Sequence, residues 1–227
     1  SGCFARGIVD PIDDFRDSNP PANGPLLDAL TDAFIESGFD RKALLRLILS
    51  SRTYQASVAT STSNEADTRL FSHQLPRLLA AEQLLDAIGQ VTGVPETFAG
   101  LPAETKATQL PAPDVADVEF LEIFGQPQRS TVCACERTGD SNLGMAIAMF
   151  NGELMHQKLG NEANRFRSGL AAGRSVEELI EELYLAAVCR LPDDTEKAAA
   201  IAHVATRESP ADGLEDVCWA LLNTDEF

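Results

Sequence analysis

The chain has 227 residues, 44% hydrophobic and 23% charged, which is enough apolar material for one large domain or two small lobes and too much for a disordered protein. Its 18 Lys and Arg stand against 35 Asp and Glu, a formal net charge of −17, which opposes binding to a nucleic-acid backbone or an anionic membrane surface. No apolar run approaches the roughly 18 residues that would indicate a membrane span.

The chain opens on Ser1-Gly2-Cys3-Phe4, with neither an initiator Met nor the charged and apolar regions of a signal peptide, the mark of an excised or processed piece. Beyond it, Asp10, Asp13, Asp14 and Asp17 cluster around Pro11 and ahead of Asn19-Pro20-Pro21. They lack the alternating acids and the Gly of an EF-hand loop, so they read as turn formers tied to Arg6 or Arg16 rather than as a calcium site. Pro25 suits a first helical turn, Leu26, Leu27, Leu30, Ala33 and Phe34 recur at helical spacing, and Gly38 supplies a stop. Asp40 can cap a second helix with Ala43, Leu44, Leu47 and Ile48 on one face. Ser57 to Ser63 is a loop, and Pro76 to Thr92 a third helical run. Glu82 and Asp86 lie four apart in that run, a spacing more typical of a solvated face than of a catalytic carboxylate pair.

From Gly93 to Gln128, Pro95, Gly100, Pro102, Pro111, Pro113 and Pro127 break any long helix, and only Val118 to Phe124 is apolar enough for an ordered element. Helical pattern resumes at Asp140 with Leu143, Ile147 and Phe150 inward, and again from Glu153 to Arg167. Ser175-Val176-Glu177-Glu178 is a capping box, followed on one face by Leu179, Ile180, Leu183, Tyr184, Ala187 and Val188. Two more helices span about Asp194 to Thr206 and Leu214 to Asn223, and no strand alternation appears. The expected fold is all-α, a multi-helix bundle-like domain over 1–227, with an N-terminal helical lobe (1–92), a Pro-rich, mostly irregular connector (93–139) and a C-terminal helical lobe (140–227).

The segment Val132-Cys133-Ala134-Cys135-Glu136-Arg137 carries the one motif that looks built for chemistry. Haem attachment needs Cys-x-x-Cys-His, and both the spacing and Glu136 exclude it. A thiolate metal site needs two further ligands, and the candidates His73, His156, Cys3 and Cys189 are scattered along the chain. A redox role would draw on the nearby cations Arg129 and Arg137, although a disulfide within Cys-x-Cys is strained. Cys133 and Cys135 are therefore ranked as structural thiols first, a redox pair second and metal ligands third. Cys189 and Cys218, within apolar helical patterns, read as small buried hydrophobes. The histidines have no nucleophile elbow to serve, so a hydrolase triad has no support.

Several dispersed segments carry a family resemblance. Phe4 to Pro21, Ser50-Ser51-Arg52-Thr53-Tyr54-Gln55, Phe124-Gly125-Gln126-Pro127-Gln128-Arg129, Val132 to Arg137, Asn142-Leu143, Phe150-Asn151-Gly152 and Ala220 to Phe227 resemble, in order, a planctomycete C-terminal domain of unknown function catalogued under the number 1553. The resemblance implies a setting in large exported or surface-associated proteins, where this domain follows another of unknown function and often an N-terminal cytochrome-c-like module. It carries over no catalytic residue and no cofactor. Two function classes follow. One is a non-catalytic helical interaction module that packs against the preceding domains of the same parent protein; the other is part of an exported enzyme, polysaccharide-related or redox, completed by those domains.

Overall fold

The computed structural model describes residues 7–10, 14–75, 78–112, 118–126 and 143–227, and they divide into two compact units, 1–77 and 78–227. Among them every regular element is a helix, and the only β-type pairing is an isolated bridge between Arg16 and Asn19.

In unit 1, helix α1 (Gly24–Glu36) starts where the Asn23 side chain accepts the Leu26 N–H at 3.1 Å, with Pro25 in the first turn. Proline has no N–H to lose there and its φ is already helical. The helix ends at Ser37, after which Gly38 and Phe39 take positive φ (70° and 63°) and their N–H groups return to Ile35 and Phe34. Three residues on, α2 (Arg41–Leu49) opens on Asp40, whose carboxylate accepts the N–H groups of Lys42 and Ala43 at 2.8 and 3.2 Å. These bonds satisfy donors that have no partner inside the helix. The two helices pack against each other, but neither has a fully buried residue.

The rest of unit 1 is held by polar side chains rather than by packing. Asp67 accepts the N–H groups of Arg69, Leu70 and Ser72, and hydrogen bonding led by Ser72 holds its carboxyl far below the usual carboxylate range. Gln74 donates to the carbonyls of Thr53 and Tyr54 at 3.3 and 2.6 Å. Val9 is the one buried hydrophobic residue among the described residues of this unit.

Unit 2 contains α3 (Ala81–Thr92), a 3-10 turn (Ala107–Gln109), α4 (Glu119–Ile123), α5 (Leu143–Asn151), α6 (Glu153–Leu159), α7 (Arg165–Ala171), α8 (Val176–Val188), α9 (Asp194–Thr206) and α10 (Pro210–Leu222). Helix α3 presents Leu84, Leu85, Ile88 and Val91 on one side, α8 presents Leu179, Ile180 and Leu183, and α10 presents Leu214, Val217, Cys218, Leu221 and Leu222. These surfaces meet around the fully buried Phe166 of α7. Burial of each Leu-, Ile- or Phe-sized side chain contributes about 1.5–3 kcal/mol, so this cluster is the main source of cohesion in unit 2. Gly213 lets α10 approach α9, because a Cβ there would stand 2.6 Å from the Val204 Cα.

The Ser175 capping box forms as read, with the Ser175 N–H and Oγ both donating to Glu178 at 2.9 Å and Oγ accepting the Glu178 N–H. Four expectations are corrected. The run expected from Pro76 is helical from Ala81, and its apolar face packs against α4, α6, α7, α8 and α10 of its own compact unit. Helix α5 turns Met145 and Ala148 inward and leaves Leu143, Ile147 and Phe150 exposed by 76%, 57% and 55%, because a helix apolar on every side gives periodicity no face to choose. The run from Glu153 to Arg167 is two helices, parted at Gly160 and restarted by Asn164, a fully buried cap whose Oδ1 accepts the Arg167 N–H. Finally, α10 starts at Pro210, four residues ahead of Leu214, because Ser209 caps it by accepting the Asp212 N–H.

Candidate functional site

The thiols that the sequence singled out, Cys133 and Cys135, lie outside the described residues, as do Cys3, Arg6, Asp13, Arg129, Arg137 and Asp140. The remaining cysteines separate sharply. Cys218 is fully buried in the α10 face, and burial pushes its thiol up to about 12, which leaves it a small hydrophobe as expected. Cys189 is exposed, contrary to expectation: it ends α8 in a left-handed conformation (φ 57°), one residue beyond the apolar stripe.

The acids also find structural employment. Asp14 pairs with Arg16 at 2.8 Å, the Asn19 amide donates to the carbonyls of Asp10 and Asp14, and Arg16 to Asn19 form a turn. Asp86 receives the N–H groups of Ala107 and Thr108 and the Thr108 hydroxyl, which seats the 3-10 turn on α3, while Glu82 accepts from the Gln126 amide. Both carboxylates are thus occupied. His156 pairs with Asn151 at 2.9 Å and His203 with Asp216 at 2.8 Å, whereas His73 has its Nδ1 buried with no hydrogen-bond partner. Among the described residues no group of three or more His, Cys, Asp or Glu could hold a metal ion.

The densest charged cluster surrounds the end of α3. Gly93 turns there with φ 74°, packed against the Arg165 backbone, and the carbonyls of the last helical turn have no partner inside the helix. Arg165 answers two of them, donating to Gln90 and Val91 at 2.6 and 2.9 Å, and pairs with Glu182 at 2.5 Å. Burial favours the neutral form of Glu182, but hydrogen bonds from Arg174 and Arg165 outweigh it and hold the carboxyl below its usual value. Lys158, only 4% exposed, donates to the Val94 carbonyl at 2.8 Å and pairs with Glu96 at 3.1 Å. Cations at a helix C-terminus complement its dipole. Each charge in this cluster is matched by a carbonyl or a carboxylate, so the arrangement fastens α3 to α6, α7 and α8 rather than presenting a group to a substrate. Sequence reading missed it, because Lys158 and Arg165 look like any surface cations; the Gly160 and Asn164 breaks between them are the one local signal.

Unit 1 presents a different surface. Between α1, α2 and the following loop lies a pocket of about 240 Å³ lined by Ile8, Leu26, Leu30, Leu47, Ile48 and Phe71, with Ser51 and Thr53 at hand. Phe71 takes a left-handed conformation (φ 59°) in this wall. Outside the pocket, Phe15, Ile35, Phe39, Leu45, Leu49, Val58 and Leu70 are exposed. Singly exposed apolar residues are ordinary, whereas an apolar pocket open at the surface is a place for a partner's side chain.

Comparison with known proteins agrees with the resemblance read from the sequence. No curated protein and no solved structure matches the chain. A family model described as PSD1, protein of unknown function (DUF1553), matches residues 1–204, and the chain belongs to that family.

Proposed function

We propose that this chain is a non-catalytic helical interaction module of a larger exported or surface-associated protein, and that residues 7–75 form its adhesive part. The observation that carries the reading is the contrast in burial: the hydrophobic core draws its described members from residues 81–222, while unit 1 buries Val9 alone among its described hydrophobic residues and exposes leucines and phenylalanines. A segment of this size gains little from its own burial, and a partner surface would supply the rest. The carboxylates and cations around α3 support the same reading, since each already serves a helix end or a turn.

The resemblance makes a neighbouring domain of the same polypeptide the natural partner. Hydrogen exchange over α1 and α2 tests this, measured on the chain alone and within the intact polypeptide. Slowed exchange in the intact polypeptide is the expected result. Identical exchange in both would overturn the reading, and turnover of a polysaccharide or a redox couple that depends on one side chain of this chain would move it to the enzyme class.

A further inference from the structure

We infer that the outward face of α2 is the docking strip of this module, and that its partner is an acidic amphipathic segment of polypeptide. The inference rests on the interaction-module reading and gives it a place and a chemistry. Along α2, Arg41, Leu45 and Leu49 follow one another at four-residue spacing, and Lys42 and Arg46 run beside them at the same spacing. Residues so spaced share one helix face, so two leucines follow Arg41 in a row with Lys42 and Arg46 along one edge. All five side chains are exposed, Leu45 by 48% and Leu49 by 42%; on the other side Ala43, Leu44 and Ile48 are partly covered and Leu47, though exposed, lines the α1–α2 pocket.

The cations carry the chemistry. Arg41, Lys42 and Arg46 form no ion pair among the described residues, nor does Arg52 just beyond the helix. In unit 2, by contrast, Lys158, Arg165, Arg167, Arg174, Arg190 and Lys197 each hold a carboxylate. Cations are scarce in a chain with 18 bases and 35 acids, and here several stand unmatched beside exposed leucines. That pattern complements a segment with its own apolar stripe edged by Glu or Asp. A short segment meets only the charges within about 8–10 Å, the screening length of physiological salt. A membrane or a nucleic acid would face far more of the net −17, and a second copy would bring −17 of its own.

The test uses the whole chain and three probes: a peptide of Glu and Leu at helical spacing, its counterpart with Lys in place of Glu, and phosphatidylglycerol vesicles. The Glu/Leu peptide is expected to bind, more weakly as salt rises, and the Lys/Leu peptide to bind far less. Arg41→Glu combined with Arg46→Glu is expected to weaken binding roughly tenfold or more, with the helical circular dichroism unchanged. Equal binding of both peptides, or affinity unmoved by charge reversal, overturns the inference. So does vesicle binding without peptide binding, and so does self-association abolished by the same reversal. Binding that survives reversal but is lost in Leu30→Ala would shift the contact to the α1–α2 pocket, which sinks the α2 face and leaves the interaction-module reading standing.

Discussion

Helices α1 and α2 resemble α8 and α10 in composition, with leucine-rich stripes and a polar cap, yet the two pairs end up in opposite states. Helices α8 and α10 place their apolar residues against each other, α3 and Phe166 until several are fully buried. Among the described residues of their unit, α1 and α2 have no third helix to pack against, and their apolar residues remain partly covered or exposed. Amphipathicity therefore says that a helix has a face to cover without saying what covers it. In unit 2 the cover is internal, and in unit 1 we assign it to a partner.

The contrast gives expectations of decreasing size. Phe166→Ala is expected to cost about 3–5 kcal/mol by urea unfolding, since it empties a fully buried site, whereas Leu30→Ala in unit 1 costs about 1 kcal/mol or less. Equal costs would break the comparison. Gly213→Ala follows at about 1–3 kcal/mol, because the new methyl would meet the Val204 backbone, which moves only with α9. Gly38→Ala in unit 1 meets no neighbouring atom within 4 Å, and its cost is confined to the positive φ. Arg165→Met is expected to cost about 1–2 kcal/mol and to speed hydrogen exchange at the end of α3 ahead of the rest of that helix; uniform exchange along α3 would show that Arg165 does not hold that end.

A smaller effect concerns acid. The Arg190 guanidinium, together with the Asp193 N–H, holds Glu196 down at about 2 from an ordinary 4.5. A depressed carboxylate adds stability above its unfolded pKa and loses it as pH falls through the folded one, so this contribution fades between about pH 4.5 and 2. Glu196→Gln is expected to flatten that part of the pH–stability curve, and an unchanged slope would show the pair to be inert. The smallest change in the native protein concerns thiols: Cys189 is expected to take up a thiol reagent in the folded state and Cys218 only on unfolding, as peptide mass mapping would report. Labelling of Cys218 at the rate of Cys189 would mean that the unit 2 core opens readily.

What the sequence revealed was mostly local. Asn23 aside, the caps at Asp40 and Ser175, the proline at 25 and the stop at Gly38 each act within a few residues, so their chemistry is visible in a short window. The α5 face was not visible, because Leu143 to Phe150 is apolar throughout and only its neighbours decide that Met145 and Ala148 turn in. The fastening of α3 was hidden for another reason: Arg165 and Lys158 reach carbonyls more than 60 residues away in sequence. Cys189 illustrates a boundary effect, since one residue past the stripe the backbone turns left-handed and carries the thiol out to solvent.

Helix α3 also sets a schedule for synthesis. Its apolar side is covered by α8 and α10, which leave the ribosome more than 80 and 110 residues later. At about 5–20 residues per second, Leu84, Leu85, Ile88 and Val91 wait on the order of ten seconds without their final neighbours. During that interval the nascent chain displays a sticky helix, and a chaperone that shields it until Leu214 to Leu222 emerge would raise the yield of folded protein.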